Sequence, residues 1–182
     1  MNSCIRSCCE MNGLQPNKIF MEKVDQLNNI LQTRHGVVMI GPTMTGKTSM
    51  QKVLMDTLQN QECRKIHKHV INAKAMNLET LYGKMCEREW CDGILTKIMR
   101  TCSNDSSNDE HWIVFDGPVD AIWVENLNVV LDDNKKLILP TGECIPLSPR
   151  MRMMFEVDNL CVASPAFVSR CGTLWCCQDP AC

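Results

Sequence analysis

One loop constrains the fold of this chain more than any other segment. A short apolar run over residues 37–40 leads directly into the pattern Gly-x4-Gly-Lys-Thr. A buried strand, a glycine-rich loop and a helix in this order form a phosphate-binding loop. The loop residues are Gly41, Pro42, Thr43, Met44, Thr45, Gly46, Lys47 and Thr48.

Each residue type in the loop has a physical reason to be there. Gly41 and Gly46 give the backbone the freedom to turn successive N–H groups around phosphate oxygens. A helix beginning near Lys47 would point its positive end at the same anion. The Lys47 ammonium would neutralise β/γ-phosphate charge, and the Thr48 hydroxyl would be a magnesium ligand. The pattern predicts ATP-type binding with Mg²⁺, against the alternative of a purely structural turn, and leaves hydrolysis undecided.

Length and charge narrow the class of protein. The chain has 182 residues and a formal net charge of −2, which fits one α/β domain and not a basic nucleic-acid surface. No apolar stretch approaches the roughly 20 residues that span a bilayer, and the N-terminus lacks the apolar core of a signal peptide. We therefore expect neither a nucleic acid nor a membrane as partner.

The thirteen cysteines are odd in number and scattered, which favours free thiols in a reducing compartment. No Cys-x2-Cys pair occurs. Cys86 and Cys91, Cys171 and Cys176, and Cys177 and Cys182 are each separated by four residues. Two such pairs would suffice for a zinc site, but buried or incidental thiols are the interpretation that we favour.

His67 and His69 alternate just before an apolar Val70-Ile71. This pattern favours an edge strand with two exposed imidazoles. The alternative is a pair of metal ligands.

The apolar patterns predict a three-layer α/β sandwich with a mostly parallel five-stranded sheet and helices on both faces. Predicted strands cover residues 37–40, 68–72, 112–115, 152–157 and 173–176. Predicted helices cover residues 17–31, the stretch after the loop, 92–99, 119–131 and 165–169. Residues 101–110 predict an exposed loop, and Gly142 predicts the turn of a small hairpin.

Asp116 follows the predicted strand 112–115, where a phosphate-loop protein needs a second carboxylate for its magnesium shell. An aspartate before Gly-Pro is also an ordinary turn residue. In hydrolytic proteins of this layout the next residue is usually a glutamate that polarises water, but here it is Gly117. Without a positioned base, the rate falls by about 10²–10⁴.

Three other glutamates are weak substitutes for that base. Glu125 belongs to the following predicted helix, and the spacing of Glu143 and Glu156 favours neither. The residues therefore support nucleotide binding better than turnover.

Two long segments carry a family resemblance. Residues 112–135 and 155–172 closely resemble the dynein heavy chain, in particular the second AAA+ module of its motor ring, with an axonemal character. The shorter segments 72–75, 81–83 and 90–95 fit the same module. The resemblance covers about residues 10–175 and identifies the fold as that of a P-loop NTPase.

The resemblance implies roles for particular residues. This module would bind ATP without fast turnover, which agrees with Gly117, with residues 41–48 on the phosphates and Asp116 on the magnesium. Arg170 matches the family's arginine finger, which would reach the γ-phosphate in the preceding module; the alternative is a surface arginine. Asn159 falls near the sensor position, where family members often carry an acid.

The resemblance also implies an organisation and a setting. We expect an N-terminal extension over residues 1–16, a nucleotide-binding core over 17–176 and a short cysteine-containing tail over 177–182. The family's lid subdomain, linker and microtubule-binding stalk have no counterpart here. Implied partners are neighbouring ring modules, with intermediate and light chains and the microtubule reached through the full heavy chain. The implied location is the cytoplasmic cytoskeleton, especially the ciliary or flagellar axoneme.

Three functions stay open at this point. The first is a ring module that holds ATP and offers Arg170 to a neighbour. The second is a hydrolytic enzyme that uses an unrecognised base. The third is a non-motile interaction fragment whose loop is vestigial.

Overall fold

A five-stranded parallel sheet forms the centre of the fold in the computed structural model, which describes residues 1–62 and 65–176. In chain order the strands are β1 (Gly36–Ile40), β2 (Ile66–Ile71), β3 (Gly83–Cys86), β4 (Glu89–Asp92), β5 (Glu110–Asp116), β6 (Lys136–Ile138), β7 (Cys144–Pro146), β8 (Met151–Val157) and β9 (Gly172–Trp175). The sheet order is β2-β5-β8-β1-β9. The predicted sandwich is confirmed.

Helices cover both faces of this sheet. They are α1 (Asn2–Met11), α2 (Lys18–Thr33), α3 (Lys47–Glu62), α4 (Leu78–Leu81), α5 (Ile94–Asn104), α6 (Ala121–Val124), α7 (Asn128–Leu131) and α8 (Pro165–Arg170). Helices α1, α2 and α3 pack on one face, where Val37, Met39 and Trp112 point. The alternate strand residues, such as Val38 and Phe115, point to the opposite face and pack against most of the other helices. Both faces are buried, so the central strands are continuous apolar runs.

The N-terminal residues contain a helix that the sequence did not predict. Ile5, Cys8 and Cys9 of α1 are fully or almost fully buried in the core shared with α2 and α3. The residues expected to form an extension are thus packed on the domain. Helix α2 agrees with its prediction, and the Asn17 side chain caps it by accepting from the Ile19 N–H at 3.1 Å.

Two predicted segments differ from the structure. Helix α5 runs on to Asn104, into the residues predicted as a loop, because Cys102 is buried on its inner side. The single helix predicted over residues 119–131 is instead α6, a 3₁₀ turn (Glu125–Leu127) and α7. Asp120 starts this segment by accepting from the backbone N–H groups of Ile122 and Trp123.

Two small antiparallel hairpins extend from the sandwich. The β6–β7 hairpin was predicted, and Gly142 in its turn has φ +85°. The β3–β4 hairpin was not predicted, and its turn places Glu87 at φ +56°.

The described part of the chain has no helix that is long and apolar enough to cross a membrane. Cys86 and Cys91, on the β3–β4 hairpin, and the buried Cys171 are free thiols, and Cys176 is also buried. Cys177 and Cys182, and the predicted tail, lie outside the described residues.

Candidate nucleotide-binding site

A cleft of about 410 Å³ lies at the carboxyl ends of the central strands. Strands β1, β5 and β8 are neighbours and parallel, so the loops that follow them meet at this edge. Open α/β sheets bind ligands at such an edge. The lining residues are Thr43, Met44, Thr45, Gly46, Lys47, Thr48, Ser49, Asp116, Gly117, Pro118, Glu156, Asp158, Asn159 and Val162.

Gly41 and Gly46 are favoured at their positions for different structural reasons. A Cβ at Gly41 would collide with the carbonyl oxygen of Cys176, which follows β9. Gly46 has φ +84°, in the region that favours glycine. Met44 has φ +66° and is 97% exposed at the loop tip, so this side chain adds nothing to the core. Within the loop, the Thr45 hydroxyl donates to the Pro42 carbonyl at 2.9 Å.

Lys47 is held inside the loop that it would serve. Its ammonium donates to the carbonyl oxygens of Gly41 and Pro42, the second at 2.9 Å. It also lies 3.6 Å from the carboxylate of Asp158, and the Lys47 side chain is 10% exposed. A buried ammonium surrounded by oxygen atoms is ready to exchange these contacts for phosphate oxygens.

Thr48 and two carboxylates converge at the floor of the cleft. The Thr48 hydroxyl donates to Glu156 Oε2 at 2.7 Å. Asp116 and Glu156 are register partners on the adjacent strands β5 and β8. Glu156 is buried, while Asp116 is exposed to the cleft. These three oxygen donors are the type that Mg²⁺ prefers, so the site fits the cation: Thr48 and Asp116 would hold it, and Mg²⁺ would supply charge neutralisation for the phosphates.

Gly117 is more than a missing side chain. Its backbone has φ +130°, and its N–H donates to the Glu156 carbonyl at 3.2 Å. Space for a Cβ exists, since the nearest atom would be Asn72 Oδ1 at 3.5 Å. The backbone conformation, rather than crowding, therefore disfavours any other residue at this position.

The three alternative glutamates differ in their distance from the cleft, and one of them lines it. Among the described residues, Glu125 and Glu143 do not line the cleft. Glu143 pairs instead with Arg100, accepting from Nη2 at 3.1 Å. Glu156 alone of the three is in the cleft, where it is bonded to Thr48.

Asn159 lines the cleft, as the sensor prediction requires, but its side chain already has a role. Asn159 Oδ1 accepts from the Cys161 N–H at 3.0 Å and so shapes the loop after β8. The neighbouring Asp158 is the residue beside Lys47. Asp158 was not among the predicted site residues, and the available signal was its position two residues after Glu156.

Lys68 is a further basic group near the carboxylates. Partial burial lowers the pKa of its ammonium, while the negative charges of Glu156 and Asp116 raise it. Lys68 lies on β2, two strands away from β8 in the sheet order. The Lys68 pKa is lowered overall, so burial outweighs the attraction of the two carboxylates.

Arg170 lies away from this cleft. It ends α8, just before β9 begins, so it sits near the amino ends of the strands, whereas the cleft is at their carboxyl ends. Its Nε donates to Asp132 Oδ1 at 2.6 Å and its Nη1 to the Ala166 carbonyl at 2.7 Å. The hydrogen bond to Asp132 raises the Arg170 pKa, and the side chain is 29% exposed.

Comparison with known proteins decides the family. A family model described as "AAA domain (dynein-related subfamily)" matches residues 36–171. The chain belongs to the dynein-related subfamily of AAA domains. A second model, "Hydrolytic ATP binding site of dynein motor region", matches residues 1–48 of this AAA domain. The match begins at residue 1, so family similarity extends further toward the N-terminus than the predicted start near residue 10.

Dynein heavy chains resemble nearly the whole AAA domain. The cytoplasmic dynein heavy chain of Neurospora crassa is 46% identical over 98% of this chain. Human dynein axonemal heavy chain 6 is 41% identical over 96%, and mouse dynein axonemal heavy chain 12 is 40% identical over 94%. The AAA domain spans 4% of the length of the first two relatives and 6% of the third. The predicted resemblance to dynein heavy chains is confirmed, and it includes cytoplasmic as well as axonemal types.

Proposed function

We propose that this AAA domain binds Mg-ATP and holds it with little or no hydrolysis. The observation that carries the proposal is that the cleft has candidate phosphate and magnesium ligands but a glycine at the position of the usual base. Lys47, Thr48 and Asp116 line the same cleft, which supports a phosphate and magnesium site. Gly117 occupies the position of the usual base, in a backbone conformation that favours glycine.

Each cleft residue has a defined task in this proposal. The loop N–H groups and Lys47 bind and orient the phosphates, and Thr48 and Asp116 hold the cation. Glu156 accepts from Thr48 and so keeps the hydroxyl oriented. The residue after Asp116 is Gly117, which has no side chain that could take a proton from water. This supports slow turnover.

The test is to measure Mg-ATP binding and phosphate release on the 182-residue chain. We expect saturable binding, with phosphate release no faster than that of a Lys47→Ala variant. Release clearly above that control would favour the hydrolytic alternative. Glu156→Gln would then show whether Glu156 is the base, because glutamine keeps the shape and loses the proton acceptor.

Arg170 serves a neighbouring module in this proposal. Its position at the opposite ends of the strands from its own cleft supports action on another subunit's nucleotide. The 2.6 Å pair with Asp132 must open, or turn, before the guanidinium can reach a γ-phosphate. A planar guanidinium can grip phosphoryl charge at two oxygens, which a lysine cannot.

Replacement of Arg170 in a full ring tests this role. Arg170→Ala should slow hydrolysis at the preceding module by at least about 100-fold, given the effect of arginine fingers in related systems. Binding of ATP in this module should stay intact. Arg88→Ala, at the exposed turn of the β3–β4 hairpin, is the matched control. Equal ring activity in the two variants would exclude the finger.

The wider setting rests on the dynein heavy chain relatives. They support a ring position beside other AAA modules and a cytoskeletal location. We assign the chain to the second module and, on its sequence character, to an axonemal motor. Microtubules and the intermediate and light chains would be reached through the remaining parts of such a heavy chain.

A further inference from the structure

Three potential metal ligands meet far from the nucleotide cleft. They are His69 on β2, Cys102 on α5 and His111 on β5, and one ligand atom from each lies within 4.8 Å of the others. His111 is at the amino end of β5, whereas Asp116 of the cleft is at its carboxyl end. Three of the chain's four histidines are in this region, because His67 stacks on His111 at a ring-centroid distance of 5.3 Å.

Two of the ligand atoms already have the spacing of a coordination site. His69 Nε2 and Cys102 Sγ are 3.7 Å apart. Zinc bonds of about 2.3 Å to sulfur and about 2.0–2.1 Å to nitrogen, at a tetrahedral angle, require about 3.6 Å between these atoms. The spacing of this pair therefore matches that of two zinc ligands.

His111 supplies the observation that points to a ligand. Its ring is 8% exposed, and Nε2 is 2.9 Å from Asp105 Oδ2. Among the described residues, the other ring nitrogen, Nδ1, is buried and has no hydrogen-bond partner. A buried polar atom without a partner is destabilising. A metal ion on Nδ1 would remove that penalty.

Asp105 adds the support that histidine ligands usually have. Metal-bound histidines commonly donate the second ring N–H to a carboxylate, which fixes the tautomer and strengthens the ligand. Asp105 is itself fixed, because Oδ1 accepts from the Ser107 N–H at 2.8 Å and Oδ2 contacts Ser107 Oγ at 2.9 Å. His111 is thus oriented through Nε2, and its Nδ1 has no partner among the described residues.

We propose that His69, Cys102 and His111 form a binding site for a divalent cation of the zinc type. One sulfur and two nitrogen donors suit Zn²⁺ and exclude Mg²⁺ and Ca²⁺, which prefer oxygen. Three protein ligands leave a fourth position for water, and β2 is an edge strand that solvent can reach. His67 is left out because the ligand atoms that lie within 4.8 Å of one another belong to His69, Cys102 and His111; His67 Nε2 instead contacts Asp109 Oδ2 at 2.8 Å. The favoured interpretation of an edge strand with exposed imidazoles holds for β2 and for His67, whereas His69 is partly buried. The proposed site uses one histidine of the alternative metal pair and, among the described residues, no cysteine of the predicted pairs.

A metal ion bound at this site would stabilise the edge of the sheet. It joins β2, β5 and the end of α5, and α5 contributes Cys102 from the segment that was predicted as a loop. Bound metal stabilises whichever state contains the assembled ligands. The role proposed here is structural and does not depend on nucleotide binding.

Cobalt(II) is the probe that identifies the ligands, because its thiolate charge-transfer and visible bands report sulfur coordination and tetrahedral geometry. We expect the 182-residue chain, reduced and freed of metal, to bind one equivalent with both signatures. Zinc should displace cobalt and raise the midpoint of thermal unfolding. Cys102→Ser should remove the charge-transfer band and weaken binding by at least about 100-fold, whereas the exposed Cys144→Ser should leave both unchanged. Equal loss in the two cysteine variants, or no binding by the unaltered chain, would overturn the proposal.

Asp105→Asn separates metal coordination from folding. It leaves the three ligands in place but removes the carboxylate that orients His111, so zinc affinity should fall by about 10–100-fold. If Cys102→Ser does not fold, the partly exposed His69→Gln is the substitute variant. Unchanged metal affinity in both Asp105→Asn and His69→Gln would contradict the assigned ligands.

Discussion

Lys47→Ala lowers the affinity for Mg-ATP by at least about 100-fold, or ~2.7 kcal/mol. The ammonium is enclosed by the Gly41 and Pro42 carbonyls and lies 3.6 Å from Asp158. It is therefore placed to meet phosphate oxygens in a site partly shielded from water, where charge-assisted hydrogen bonds are strong. Isothermal titration calorimetry with Mg-ATP measures the change directly.

Lys52→Ala is the matched control for this prediction. Lys52 lies on the same helix, α3, but is exposed and outside the cleft. Its removal should change the affinity by less than about twofold, in line with the small value of exposed charges. If Lys47→Ala folds normally and binds Mg-ATP as tightly as the unaltered chain, the loop does not hold the phosphates.

Phe155→Ala should lower the free energy of unfolding by about 3–5 kcal/mol. Phe155 has no exposed surface, and its ring stacks on Phe115 with centroids 4.8 Å apart. It also meets Phe167 edge-on at 4.9 Å and lies 6.3 Å from Trp123. Truncation leaves a cavity among the three remaining aromatic rings, which β5, α6 and α8 hold in place.

For a domain of this size the loss corresponds to a fall of about 6–20 °C in the melting temperature. Ile122→Ala, on α6 with 71% of its surface exposed, should change the stability by no more than about 0.5 kcal/mol. Thermal and urea unfolding followed by circular dichroism measure both variants. Similar effects in the two would mean that the aromatic cluster is not the core of that face.

The central sheet could be predicted because buried parallel strands have a strong local signal. Residues 112–115 and 153–155 are short apolar runs bounded by polar or charged residues, and such runs have few other stable structures. Helix α2 was equally clear, since its apolar spacing begins directly after the cap at Asn17. In each case the information lies within a few neighbouring residues.

Elements that depend on distant contacts were missed. Helix α1 buries Cys8 and Cys9, and cysteines in a polar sequence give no clear apolar pattern. The β3–β4 hairpin turns at Glu87 with φ +56°, without the Asn-Gly or Asp-Gly signal that hairpins usually show. The broken helix after Asp120 depends on packing against the rest of its face rather than on a breaker residue.

Some residues of the two sites could likewise be predicted from local motifs, and others could not. The loop residues and Asp116 follow from local motifs, because the motif itself encodes the strand–loop–helix geometry. The Thr48–Glu156 hydrogen bond joins residues 108 positions apart, and Cys102 meets His69 from another element. Only the strand order brings such pairs together, and no local pattern contains it.

Gly117 finally limits how a base could be introduced after Asp116. A positive φ of +130° is nearly free for glycine, but holding another residue there costs about 1–3 kcal/mol. Engineering a base at this position would therefore have to rebuild the backbone between β5 and α6, not merely substitute one residue.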